Sequence, residues 1–163
     1  MPLVIRAVES SDRLGWQPLF EGYRDFYGHE HDPAVVETVW TWLLDAGNEL
    51  NGLVALQDGV LVGIAHWRTF VRPSRGGRAI FLDDLFTASA SRGAGVGTAL
   101  VDRLREIAAR EGLLEVRWIT SESNVSAQRL YDRIAQRLPI RTYSAIPAGD
   151  PSTAPATIDS PEP

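Results

Sequence analysis

The residues best suited to chemistry lie in three short stretches of the second half of the chain. Asp83 and Asp84 stand side by side within an otherwise apolar run, Ala79 to Thr87. Acids are seldom placed in such surroundings without a partner or a task. If the run is a strand, alternation sends the two carboxylates to opposite faces, so one faces a given cleft and the other pairs elsewhere. Just beyond lies Arg92-Gly93-Ala94-Gly95-Val96-Gly97, followed by Thr98, between that strand and an amphipathic helix. Amides at a helix N-terminus are unpaired donors, and the aligned peptide dipoles favour an anion there. Glycines remove the side chains that would keep a diphosphate away, and Arg92 adds a charge-assisted bond to a phosphate oxygen. Taken alone, the loop reads equally well as a tight strand-to-helix turn. In the third stretch, Asn124 and Tyr131 sit about two helical turns apart and share a face. From the residues alone Tyr131 reads first as a core aromatic on that stripe.

Of two familiar phosphate loops, one does not match and the other matches poorly, which leaves a nucleotide or dinucleotide binder as a third reading. No Gly-Lys-Ser/Thr follows the glycines, as a Walker loop requires. A dinucleotide fingerprint belongs after the first strand of a βαβ unit, with an acid about 20 positions on at a strand end. Glu111 and Glu115 are near that distance but flank a helix-to-strand turn.

The elements that must position these residues follow from hydrophobic period and punctuation. Leu3 to Ala7 is a short strand. Ser11 and Asp12 offer caps for a helix bearing Trp16, Leu19, Phe20 and Tyr23. Asp32 caps a second helix with Pro33 at its first position, and Gly47 ends it. Leu53 to Gln57 and Val60 to Phe70 are strands joined at Asp58-Gly59, a hairpin signal. Ala79 to Thr87 is a strand. The helix after the glycine loop buries Val96, Leu100, Leu104 and Ile107 and stops at Gly112. Val116 to Thr120 is a strand, Asn124 to Leu138 a helix stopped by Pro139, and Ile140 to Ile146 a final strand. Two helices, a meander and a β-α-β unit predict an α/β fold: a mixed central sheet flanked by helices on both faces. Residues 1–147 form the domain. The Pro-, Ser- and Thr-rich residues 148–163 read as a disordered tail.

The chain's 163 residues allow one core, and 44% apolar with 23% charged residues is ordinary for a soluble domain. A net charge of -5 argues against a nucleic-acid surface. With no cysteine, thiolate metal sites and a Cys nucleophile are excluded, and a cytoplasmic setting is expected. No run approaches the roughly 20 apolar residues of a membrane span, and the N-terminus lacks a signal-peptide core. His29-Glu30-His31-Asp32 offers too few ligands for a metal site, so no metal is expected. His66 reads as packed or exposed, with a base near the acceptor site held in reserve. Glu21, Asp25, Glu30 and Asp32 give the first two helices a negative field that would attract a cation, or simply form a solvated face.

With these residues in place, the chain resembles the GNAT superfamily of N-acetyltransferases. Arg92-x-x-Gly95-x-Gly97 is similar to its Gln/Arg-x-x-Gly-x-Gly/Ala signature. Leu82 to Thr87 resembles its fourth strand. Trp118 to Asn124, with Ala127, Leu130 and Tyr131, resembles its fifth strand and following helix. The similarity covers residues 79 to 143 and is nearest the histone, polyamine and D-amino-acid acetyltransferase branch. It implies acetyl-CoA as co-substrate, with its pyrophosphate on Arg92, Gly93, Ala94, Gly95, Val96, Gly97 and Thr98. Asn124, Ala127 and Tyr131 would meet the rest of the cofactor. A backbone amide near Leu85 or Phe86, at a bulge in the fourth strand running on to Thr87, would hold the thioester oxygen.

By the same resemblance, Tyr131 is the general acid toward the CoA sulfur. Asp83 is the proton acceptor and Asp84 the anchor of the amine, or the reverse, and Glu30 is an outer substrate contact. The implied reaction is direct attack of a small primary amine, a polyamine or an amino acid, in a ternary complex. Acetylation of a protein N-terminus or Lys, or a non-catalytic acyl-CoA-binding role, are the alternatives. The family usually has two strands after its last helix and only one is visible here, so the sheet edge is either completed in a homodimer or left short.

Overall fold

The computed structural model describes residues 2–148. The chain divides into two compact units, with the boundary between Ile119 and Thr120. The tail expected over 148–163 lies outside the described residues apart from Ala148.

The first unit is built on one sheet. Its strands are β1 (Val4–Ala7), β2 (Asn51–Gln57), β3 (Val60–Arg72), β4 (Gly77–Thr87) and β5 (Val116–Arg117), lying side by side in that order. The first four run antiparallel, and β5 joins β4 in parallel. Asp58 and Gly59 both take positive φ in the β2–β3 turn, the geometry that matches the twist of a two-residue hairpin.

Three helices cover this sheet: α1 (Arg13–Phe26), α2 (Pro33–Leu44) and α3 (Val96–Arg110). Trp16, Leu19 and Phe20 of α1 pack with Val36 and Trp40 of α2 against Val54 and Ile64 of the sheet. Gly63 points the other way. A Cβ there would come within 2.7 Å of Val96 and 3.3 Å of Leu100, so α3 lies close on the opposite face. Helices therefore flank the mixed sheet on both sides, as the element order predicts.

Caps follow the sequence in one case and depart in another. Asp32 accepts from the Ala34 and Val35 amides at 2.9 and 3.4 Å and starts α2 with Pro33. Asp12 does not cap α1. Its buried carboxylate takes two bonds from Arg6, at 2.6 and 2.8 Å, and one from the Glu9 amide at 2.8 Å. It thereby ties β1 to the 3-10 turn Ser10–Asp12.

The second unit carries α4 (Val125–Ile134). Its expected stripe, Ala127, Leu130, Tyr131 and Ile134, is half-buried, with exposed residues between. The helix ends before Leu138: Ala135 is extended, and Arg137 folds back onto Asp132 at 2.9 Å. The strand expected over Ile140 to Ile146 is absent among the described residues. Strand propensity counts only where a neighbour takes the backbone bonds and a layer covers one face. Here Tyr143 is 87% exposed and no ladder pairs it.

Candidate active site

The geometry of β4 overturns the expectation that Asp83 and Asp84 face opposite ways. β3 and β4 pair regularly up to Trp67↔Leu82 and resume at His66↔Asp84, which leaves Asp83 as an extra residue. Such a bulge re-aims side chains and lets neighbours on one strand point to the same side. The partners show that it does. Asp84 Oδ2 lies 2.8 Å from His66 Nδ1, and Asp83 Oδ1 accepts from Arg68 Nε at 3.2 Å. His66 and Arg68 are alternate residues of β3 and share a face. Both acids therefore lie on the face covered by α1. The bulge is at Asp83, not near Leu85 or Phe86; Leu85, Phe86 and Thr87 pair in regular register with Ala65, Ile64 and Gly63.

The two carboxylates differ in their surroundings. Burial pushes the Asp83 carboxyl above the usual range, and the charge of Asp84 adds to the push. Arg68 pulls it down without offsetting the burial. Asp83 Oδ2 is itself buried and accepts no hydrogen bond from the protein. Asp84 is held by His66 at Oδ2, with the Tyr23 hydroxyl of α1 near enough to feel its charge. Burial first, and then the Asp84 charge, raise the Tyr23 hydroxyl far above its ordinary value, so it stays an O–H donor.

His66 is buried on the same face, with Phe20 edge-on at 5.3 Å between ring centroids. Its Nε2 accepts a hydrogen bond from Trp16 Nε1 at 2.9 Å. An indole N–H can only donate, so Nε2 carries a lone pair and Nδ1 carries the proton. From sequence His66 is only a reserve base, and Trp16 and Tyr23 read as core before pocket lining. His66 and Trp16 are fifty residues apart, and only the packing of α1 on β3 brings them together.

The other edge of β4 loses its neighbour at the same place. Among the described residues β5 pairs only at Ile80↔Val116 and Phe81↔Arg117, so no strand lies beside Leu82 to Thr87 there. Glu115, at the root of β5, pairs with Arg117 at 2.9 Å and also with Arg72, which accounts for it without a ribose.

The glycine loop turns tightly and leaves its outer surface open. After the 3-10 turn Ser89–Ser91, Gly93 and Gly95 take φ of 81° and 84°, a region open to glycine and costly for other residues. A Cβ built at either would meet nothing within 4 Å, so the outer surface of the turn is clear. Gly95 opens α3, and no side chain caps the amides of Val96, Gly97 and Thr98. Ala94 continues the turn, donating to Ser91 O at 3.4 Å. Arg92 stacks its guanidinium on Phe86, 5.6 Å from the ring centroid, and its Nε reaches Thr87 O at 3.4 Å. The turn is thereby tied to the end of β4.

In the second unit, Asn124 caps α4 by accepting from the Ala127 amide at 3.2 Å, and Tyr131 lies two turns along that helix. Glu30 sits in the exposed loop between α1 and α2, where its carbonyl accepts from Arg24 Nη2 at 2.7 Å. It takes no part in the hydrogen-bond network around Asp83 and Asp84.

Comparison with known proteins bears on the family and the fold. A family model described as Acetyltransferase (GNAT) family matches residues 16–135. A D-amino-acid N-acetyltransferase of Saccharomyces cerevisiae, HPA3, is 27% identical over 137 residues, covering 83% of this chain and 85% of its own. An uncharacterized N-acetyltransferase of Bacillus subtilis, YhfO, is 29% identical over 130 residues, covering 79% and 86%. Among solved structures, a ribosomal-protein-alanine N-acetyltransferase from Brucella melitensis superposes with TM-score 0.76 at 22% identity, over 90% of this chain and 99% of that one. The fold is shared. The chain belongs to the GNAT family of acetyltransferases, and so to the enzymes that move an acetyl group from acetyl-CoA to an amine. No helix among the described residues is long and apolar enough to cross a membrane.

Proposed function

We propose that this enzyme acetylates a small primary amine, with a polyamine or diamine preferred and an amino acid second, by direct attack in a ternary complex. One observation carries the reading: the bulge at Asp83 brings two carboxylates to one face of β4, one with an unmet acceptor and one held rigid. An alkylammonium ion has a pKa of about 10, so the substrate arrives charged and must be both held and deprotonated. Asp84 anchors the ammonium group. Asp83 accepts its proton, directly or through water; burial makes it a stronger base than a solvated aspartate, and Oδ2 has no protein hydrogen to satisfy it. Glu30, with Glu21 and Asp25, adds a negative field along the approach.

Acetyl-CoA supplies the acyl group as a thioester. The amides of Val96, Gly97 and Thr98, together with Arg92, would bind its pyrophosphate, and the clear outer surface at Gly93 and Gly95 fits that role. The edge of Leu82 to Thr87, which no strand pairs among the described residues, would offer backbone donors and acceptors to the pantetheine arm and thioester. In the transfer the amine nitrogen forms the C–N bond and the C–S bond breaks. Asp83 passes the ammonium's first proton to solvent and accepts the nitrogen's second proton as the C–N bond forms, while Tyr131 protonates the leaving sulfur and is itself reprotonated from solvent. Asn124 and Ala127 stand at the start of the helix that carries Tyr131 and are assigned to the same arm. The yeast relative acts on D-amino acids by its name, which supports including amino acids among the acceptors.

The test is a panel of diamines, polyamines, and D- and L-amino acids with acetyl-CoA, read as thiol release and by mass spectrometry. Acetylated diamine at the highest kcat/KM is expected. Exclusive acetylation of protein N-termini or Lys would refute the small-amine reading.

A further inference from the structure

The buried imidazole behind Asp84 has a role that the reaction above does not use. Its two nitrogens are both engaged: Nε2 accepts from the Trp16 indole at 2.9 Å, and Nδ1–H donates to Asp84 Oδ2 at 2.8 Å. A proton added at Nε2 would point at the indole N–H, two donors face to face in a dry site, so the neutral Nδ1–H tautomer is enforced. A histidine in that state gives a hydrogen bond but has no lone pair left to take a proton from substrate. The relay runs in one direction, from an indole that can only donate, through an imidazole fixed by it, to a carboxylate that can only accept.

We propose that His66 is a positioning residue for the acceptor amine. Locked by Trp16, it aims the Asp84 carboxylate at the incoming ammonium and is not itself the base. The proposal rests on the reading that Asp84 anchors the amine. The groups facing His66 are Asp84 and the neighbouring Asp83 on β4, and Trp16, Phe20 and Tyr23 on α1. Arg68 lies two residues along its own strand, and Gly52 is its cross-strand neighbour on β2. Among the side chains of α1 at this place Tyr23 is the one that titrates, and it remains protonated.

Two measurements test it. Nitrogen NMR of the wild-type imidazole is expected to show Nδ1 protonated and Nε2 bare; an Nε2–H tautomer or an imidazolium overturns the proposal whatever the substrate. Steady-state kinetics on the best amine of the panel then compare variants. His66→Leu should raise KM for the amine roughly tenfold or more, the loss of one hydrogen bond to a charged group, with little change in KM for acetyl-CoA. His66→Asn keeps an N–H toward Asp84 and should recover most of that loss; if it does no better than Leu, His66 is only packing and the proposal falls. Trp16→Phe removes the lock and should raise the amine KM with little change in KM for acetyl-CoA; an unaltered amine KM also counts against it. Asp84→Asn separates the two layers of argument. An unchanged amine KM there sinks the anchor reading and this proposal with it, whereas the NMR result alone decides the tautomer.

Discussion

Replacing Asp83 by Asn should move activity and stability in opposite directions. A general base that abstracts a proton typically contributes 10²–10⁴-fold, so kcat is expected to fall by about that factor. For stability, the folded pKa of Asp83 lies above its unfolded value. Such a group supports the folded state below the ordinary carboxylate pKa of about 4 and loses that support as pH rises through the folded value. Near neutrality the charge is therefore a burden on the fold. Removing a buried, incompletely paired charge is worth about 1–3 kcal/mol, and weakening the half-exposed contact with Arg68 costs about 0.2–1 kcal/mol. The net gain of about 1 kcal/mol corresponds to a Tm higher by about 2–4 °C for a chain of this size. Thermal unfolding between pH 4 and pH 8 should show the difference between Asn and wild type growing with pH. A lower Tm at pH 8, or an unchanged kcat, would refute the assignment of Asp83 as a buried base.

Other outcomes follow from the same geometry. Gly95→Val forces a β-branched residue to a φ of 84° and fills the clear surface of the turn, so calorimetry should show acetyl-CoA binding at least tenfold weaker for about 1–3 kcal/mol of strain. Tyr131→Phe should lower kcat by about 10²–10⁴-fold with acetyl-CoA affinity retained, as expected for a group needed only when the sulfur leaves. Asp12→Ala removes the partner of Arg6 and should cost about 2 kcal/mol in denaturant unfolding. The Arg6 hydrogen bonds hold the Asp12 carboxyl below its usual range. Its contribution is thus present above about pH 4 and is lost as pH falls through the depressed value; wild type should lose stability in acid more steeply than Asp12→Ala.

Periodicity and punctuation made the layered sheet legible before any coordinates. Asp32-Pro33 marked α2, Asp58-Gly59 marked the hairpin, and the stripe from Val96 to Ile107 marked α3, because each signal is local. The glycine loop was legible for the same reason: positive φ and open space are written as Gly93 and Gly95. The bulge was not. It is a mismatch of count between two strands, and neither strand records its partner's length, so alternation misdirected one of the acids. The bond from Trp16 to His66 was hidden by sequence distance; a tryptophan on an apolar helical stripe looks the same whether or not its N–H has a task. The strand expected over Ile140 to Ile146 fails on the converse ground, since its residue types suit a strand but no neighbour in the described sheet takes its backbone.

Gly63 gives the enzyme a constraint of another kind. It lies beneath the opening turn of α3, three positions upstream of His66 on β3. Adding even one methyl at this point would lever the first turn of α3, whose amides are proposed to hold the diphosphate, away from the sheet while leaving every residue of the loop intact. Cofactor affinity is thus answerable to a position that no inspection of the loop would single out, and a lesion there would masquerade as a binding-site defect.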